Sequence, residues 1–480
     1  SILLTSAAPL WAQASDDAPL SAIDWLSESV EQPRVVAAAP DLGTQATRTP
    51  EANEAPVADT ATTPSVSVQT LGGPAPRALG LFSPAVMGLP DDLWSSSDGA
   101  VLGALLAAEE TDTLPALQDL IVMLAISAAN PPLEGAAPGS FFRARVDKLL
   151  SIGALEQAQA MLEVATPDNP ELYRRWFDVS LLTGTEDTAC QSLRVKPDVA
   201  PTPSARIFCL ARSGDWSAAA LTLNTGLALG DIDADTGDLL ARFLDPELYE
   251  GEPDLTPPDR ITPLTFRMFE AIGDAQGTRN LPSAFSHADL RPNVGWKAQL
   301  EAAERLSRDG AVSFGVLTSL YRARAPAASG GVWERAKAVQ RLDRALENED
   351  SGETLVALDA LWDEAASLGL VVPLAKNYGV QLHAAELPAR ESALRWMLLS
   401  GDYEEAALRE DFIALDPFLT SVARGTLTDE TSALPAAFLI RAAFGAEPDQ
   451  VLLDVARDGR TGEAVLRTIA TLQQGLDGDR

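Results

Sequence analysis

Two histidines, two cysteines and one acidic loop are the residues of this 480-residue chain whose types and spacing invite chemistry. His287 has Asp289 two positions on, and His383 has Glu386 three positions on, so each imidazole has an acid at hand to orient it as a base. A base needs something to activate, and neither histidine comes with a nucleophile pattern. Gly-x-Ser-x-Gly, Ser-x-x-Lys and the His-Glu-x-x-His of metalloproteases are all absent. Structural or surface histidine is the reading that follows. None of the five lysines follows a glycine and no Gly-x-Gly occurs, which removes the phosphate loop and the dinucleotide fingerprint. No catalytic residue, cofactor or metal is expected.

The acidic loop, DIDADTGD at 231–238, starts like a calcium-binding helix-loop-helix. Its glycine should be sixth but is seventh, Gly237, and the twelfth position, which needs a bidentate Glu, is Arg242. A capped turn fits better, with an Asp accepting from the first amides of a helix that carries Leu239, Leu240, Phe243 and Leu244. Zinc lacks any paired-cysteine spacing.

Cys190 and Cys209 flank a proline-rich connection, KPDVAPTP at 196–203, between two helical patterns. A disulfide there would staple neighbouring helices; two unpaired core cysteines are the alternative. Oxidation is plausible because ILLTSAAPLWAQA at 2–14 is an apolar run closing on small residues, the end of a secretory signal peptide with cleavage after Ala14. A buried helix start is the other reading of that run. The expected location is periplasmic or secreted. No later stretch approaches the roughly 20 uninterrupted apolar residues of a membrane span. The net charge of −33 repels nucleic acid and anionic headgroups, so the partner sought is neither.

The elements that must position such residues fall into four segments. After the signal remnant, residues 15–32 place Leu20, Ile23, Leu26 and Val30 at helical spacing with Trp25 beside them, a short amphipathic helix. Residues 33–78 are rich in Ala, Thr and Pro with no aromatic residue, too poor in apolar surface to offset their ordering entropy, and are expected to be a disordered linker. From 79 to 480 the pattern is helical, opening on an apolar lead-in at 79–94. Leu102, Leu105 and Leu106, then Leu117, Leu120, Ile121 and Leu124, recur at spacings of three and four. AASGGVWER at 327–335 is a flexible turn opening into a helix anchored by Trp333, either a simple helix start or a partner-binding loop.

One pattern occurs three times: GALEQA at 153–158, GDWSAA at 214–219 and GDYEEA at 401–406, each after an apolar helix end. Gly153, Gly214 and Gly401 would let one helix turn. Trp216 and Tyr403 would wedge between helices, and Ala158, Ala219 and Ala406 would permit close approach. This resembles the inter-helix turn and second helix of the tetratricopeptide repeat, and the whole chain resembles large exported helical proteins of alphaproteobacteria. Pro170 falls twelve residues after Ala158, as that repeat expects, but the three glycines are not spaced at multiples of its 34-residue period. The resemblance implies an all-α fold, an α-solenoid of degenerate hairpins on a disordered tether, with an irregular helical bundle as the alternative.

A solenoid offers grooves rather than a catalytic pocket. The function expected is therefore a non-enzymatic scaffold or adaptor that binds an envelope protein or peptide, a peptidoglycan-associated complex among its settings. The alternative is a cell-wall processing enzyme with a helical superstructure, like the soluble lytic transglycosylases, although residues 448–480 are too few for their separate catalytic domain. The segment with Leu20, Ile23, Trp25, Leu26 and Val30 must cover its apolar side either on its own body or in a partner's groove.

Overall fold

The computed structural model describes residues 23, 25–27, 78–133, 139–413, 415 and 450–478. The signal remnant, Leu20, Val30 and nearly all of the expected linker lie outside the described residues. The described residues are helical, with no strand and only two isolated bridges, Phe82 to Ser127 and Asp98 to Leu133. All-α is the fold class.

The first helices are α1 (Gly99–Ala108), α2 (Pro115–Ile126), α3 (Ser140–Ile152), α4 (Leu155–Ala165) and α5 (Pro170–Thr183). Next come α6 (Glu186–Val195), α7 (Pro203–Arg212), α8 (Trp216–Leu229), α9 (Ala234–Leu244) and α10 (Pro263–Ala271). A 3₁₀ segment, Ser283–Leu290, leads to α11 (Trp296–Arg308), α12 (Phe314–Arg322), α13 (Val332–Glu347), α14 (Ser351–Ala365) and α15 (Val371–Ala384). The rest are α16 (Glu391–Leu398), α17 (Tyr403–Leu408), α18 (Glu410–Ile413), α19 (Gln450–Arg457) and α20 (Thr461–Gly478).

The starts are written in cap residues. Proline opens α5, α7 and α10, preceded by Asn169, Thr202 and Thr262, whose side chains accept from the amides of Leu172, Ala205 and Thr265. Asp233 likewise accepts from the amide of Thr236 at 2.9 Å and its hydroxyl at 2.7 Å, so the acidic loop is the capped start of α9.

Consecutive helices pack on one another from α2 to α9 and again from α11 to α14. Their apolar faces form two main cores, one running from α1 to the 3₁₀ segment and a second from α11 to α18. The chain also returns on itself. α20 packs on α1, where the Gln473 amide exchanges two hydrogen bonds with the backbone of Glu110 (3.0 and 3.2 Å). Gly462 donates to the carbonyl of Leu93 at 2.9 Å and lies against the Trp94 ring, where an added Cβ would be 2.4 Å from ring carbons.

Each hexapeptide turn joins two packed helices, α3 to α4, α7 to α8 and α16 to α17. Ala158, Ala219 and Ala406 are all fully buried, as close approach requires. Gly153 takes φ 87°, a left-handed conformation in which its own amide donates to the Leu150 carbonyl and that of Ala154 to the Leu149 carbonyl. The wedge expectation is corrected at two of its positions. Leu155 is buried, but Trp216 and Tyr403 are 53 % and 42 % exposed. Both sit at the first position of their helices, and the gap between helices is filled from further along, by residues such as Ala219 and Ala406.

Cys190 on α6 and Cys209 on α7 are bonded, their Cα atoms 5.0 Å apart. Closing a loop of this size removes unfolded-state entropy worth roughly 3 kcal/mol. Thiol titration of the denatured, unreduced protein should find no free thiol, and the Cys190→Ser, Cys209→Ser double variant should lose about 2–3 kcal/mol in a urea melt. Two thiols per chain would remove the pairing.

Arg145 of α3 fastens the lead-in. It is buried with no carboxylate partner, and its guanidinium donates to the carbonyls of Ala125 (2.7 Å), Leu79 (2.8 Å) and Ser127 (2.5 Å) while standing over the Phe141 ring. Desolvation pulls its pKa down to about 9.

Glu109, just past α1, is buried with both carboxylate oxygens unpartnered, while Lys148 donates to the backbone carbonyls of Ala107 and Glu109. Burial pushes the Glu109 carboxyl up to about 7, held back by Lys148, and pulls Lys148 down to about 8. Between the ordinary carboxyl range and pH 7 the folded chain holds a proton that the unfolded chain has released, so stability falls as pH rises through that window. Glu109→Gln should therefore raise the unfolding free energy at pH 8 by about 1–2 kcal/mol and flatten its pH dependence from 5 to 8. A variant less stable at pH 8 would refute this account.

A candidate peptide-docking groove

The N-terminal segment is seated on the body. Ile23, Trp25, Leu26 and Ser27 are all buried. At these described positions the backbone makes a tight turn, with the Leu26 amide donating to the Ile23 carbonyl, while the rest of the helix expected over 15–32 lies outside the described residues. The groove takes the Ser27 amide and the Leu26 and Ser27 carbonyls for itself.

The groove is made by α5, the residues before α10 and the 3₁₀ segment. α5 is buried at ten consecutive positions, Tyr173 to Leu182, so its charged residues must find partners inside the protein. Arg175 does so with Asp147 (2.6 and 2.8 Å) and Glu171 (3.0 Å). Asp178 finds the N-terminal segment: its two oxygens accept from the amide and hydroxyl of Ser27, both at 2.7 Å. Arg174 donates to the Ser27 carbonyl at 2.9 Å, and Arg260 to the Leu26 carbonyl at 2.8 Å. Trp25 packs its ring edge-on to Phe285, centroids 5.9 Å apart, and Phe266 meets Phe285 from another side at 5.5 Å.

Burial raises the Asp178 carboxyl to about 6, while the bonds from Ser27 and the charges of Arg174 and Arg175 pull the other way. Arg174 has its pKa lowered by burial and by Arg175 beside it. Its Nε and Nη2 are buried with no hydrogen-bond acceptor; the nearest carboxylate, Glu171, is 3.8 Å from Nη2.

Of the residues singled out from sequence, the structure gathers Ile23, Trp25 and Leu26 in this groove; Leu20 and Val30 lie outside the described residues. Trp333 lies elsewhere, half-buried against Trp296 (5.1 Å), on a cleft of about 770 Å³ that also holds Gly330, Gly331 and Arg335. His287 is buried and donates from Nε2 to the carbonyl of Gly153 at 2.7 Å, with its pKa pulled down to about 4 by desolvation. It ties the 3₁₀ segment to the first hexapeptide turn. His383 has Nδ1 3.8 Å from a Glu405 carboxylate. Among the described residues no three potential ligands converge as a metal site. No described helix is long and apolar enough to cross a membrane.

Asp178, Arg174, Arg260 and Phe285 escaped the sequence reading. One signal for the first two was available: YRRWFDVSLL at 173–182 is too apolar to leave a solvated face, so its arginines and aspartate had to be paired inside. What they pair with, 147 to 151 positions away, has no local signature. Comparison with protein-family models, with curated proteins and with solved structures finds no match to this chain.

Proposed function

We propose that this chain is a non-enzymatic scaffold of the cell envelope, an array of tetratricopeptide-like helical hairpins that holds another envelope protein. The observation that carries this reading is the groove itself. A body that fastens a turned peptide segment by two carbonyls, one amide, one hydroxyl and an aromatic pocket has the equipment of a peptide-binding surface. The packing of consecutive helices supports the array, and the Cys190–Cys209 bond supports an oxidising compartment. The return of α20 onto α1 makes the array a curled one rather than an open superhelix.

The test is crosslinking in intact cells followed by affinity purification of the full chain and identification of what is joined to it. A single envelope protein recovered in near-stoichiometric amount, and lost on a body substitution that leaves the chain folded, is the expected result. A chain recovered alone from every fraction, together with release of fragments from purified peptidoglycan, would replace the scaffold by the enzyme alternative.

A further inference from the structure

We propose that the groove on α5 recognises, in trans, a segment of a partner protein with an aromatic–leucine–serine core followed by an acceptor group, and that residues 23–27 are its intramolecular competitor. This deepens the scaffold reading and rests on it for the existence of a partner.

Three observations lead here. The first is what the groove reads. Arg260 and Arg174 take main-chain carbonyls, Asp178 takes a main-chain amide, and only the Asp178 bond to the hydroxyl and the aromatic contact with Phe285 depend on side chains. Any chain that can take up this turn with an aromatic residue, a leucine and a serine in consecutive positions satisfies the same set.

The second is how the present occupant is attached. Fifty residues separate Ser27 from Ala78, where the described body resumes. That length allows a contour of up to roughly 165 Å, enough to leave the groove and return without disturbing the helices. A ligand on the same chain competes at an effective concentration set by the length that joins it, so a free partner must bind better than residues 23–27 do.

The third is that binding better is available. The Arg174 guanidinium is 5 % exposed, yet only Nη1 has an acceptor, from Ser27. Its Nε and Nη2 make no hydrogen bond, the Glu171 carboxylate standing 3.8 Å from Nη2. A peptide that puts a carboxylate where the Ser27 carbonyl now lies would give this fork two oxygens instead of one, the geometry that guanidinium groups bind most strongly. The segment in residence thus leaves part of the site unfilled.

The experiment uses the full chain carrying Trp25→Ala and Leu26→Ala, which empties the groove without altering a body residue, and a fluorescent peptide of residues 18–32 read by anisotropy. Binding at least 10-fold tighter than to the wild-type chain, in which residues 23–27 compete, is expected. The same peptide with its serine changed to alanine should bind at least 10-fold more weakly. A peptide of residues 18–27 with a free C-terminal carboxylate should bind several-fold more tightly than its amide. If the double variant melts at a much lower temperature, Ser27→Pro replaces it, removing both donors to Asp178 and nothing from the body.

No binding to a cooperatively folded variant overturns the proposal, as does equal affinity for the serine and alanine peptides or for carboxylate and amide. A concentration-dependent dimer of the wild-type chain, lost in the Trp25→Ala, Leu26→Ala variant, would assign the groove to a second copy instead and overturn the partner. Because these measurements use only purified chain and peptide, their failure is separate from failure to recover an envelope partner by crosslinking.

Discussion

Arg145→Met is expected to lower the unfolding free energy by about 3–5 kcal/mol, because three carbonyls at a buried position lose their donors at roughly 1–3 kcal/mol each. Methionine replaces much of the buried hydrocarbon volume, so little of the loss would come from packing. What it cannot supply is three donors. The carbonyls of Leu79, Ala125 and Ser127 lie at the lead-in and at the end of α2, and without Arg145 each would need water in a buried place or remain unsatisfied. Arg145→Lys keeps the charge, but a single ammonium does not span three carbonyls in the plane of a guanidinium, so it should recover less than half of the loss. Urea melts of the three proteins decide it, and a methionine variant within 1 kcal/mol of wild type would show these bonds to be replaceable at about the cost of an ordinary exposed pair.

Asp178→Ala should release the N-terminal segment and destabilise the body by about 3 kcal/mol, because the arginine beside it is left buried with less compensation and the Ser27 donors lose both acceptors. Limited proteolysis should then cut within residues 15–32 at a rate at least 10-fold above wild type, by the exposure of a segment now held in the groove. Asp178→Asn is the informative companion. Its amide oxygen still accepts from Ser27, and its charge is gone. In the wild-type protein the Asp178 carboxyl is raised to about 6, so the folded state holds a proton that the unfolded state has lost between the ordinary aspartate range and that value. The stability contributed at this residue is therefore largest in acid and declines as pH rises toward 6, whereas the Asn variant should be flat across that window. Parallel pH profiles for the two proteins would refute the assignment.

Much of the fold was legible because its determinants are local. Leucine spacing, the Pro and cap pairs at α5 and α7, and the glycine turns each act within one or two helical turns. So does the Asp233 cap, which the misplaced glycine and Arg242 had already set apart from a calcium loop. The cysteine pair could be read as well, since its members lie only 19 positions apart on the adjacent helices α6 and α7.

The groove was legible on one side only. Ile23, Trp25 and Leu26 stood out as an apolar set needing cover, but their spacing spoke for a helix. At the described positions 25–27 the structure shows a turn whose backbone groups bond to Asp178, Arg174 and Arg260, more than 140 residues away. Tertiary partners of that kind override local propensity and leave no periodic trace. Trp216 and Tyr403 teach the same lesson from the repeat motif. Their identity fits the pattern, yet their position at the first residue of a helix turns both toward solvent.

The meeting of α20 with α1 bears on how the helical array we propose should come apart. Stacked-hairpin proteins behave like one-dimensional chains of coupled units, each bound to its neighbours, and their terminal units melt first because they lack a neighbour on one side. Here α1 and α20, the first and last α-helices among the described residues, are neighbours, joined at Gln473 and Glu110 and at Gly462 and Leu93. Neither has a free outer boundary from which fraying can start. Hydrogen exchange in α1 should accordingly be slow, and a Gly462→Val substitution, which drives a side chain into Trp94, should accelerate exchange in α1 and α20 together, two segments more than 350 positions apart in sequence.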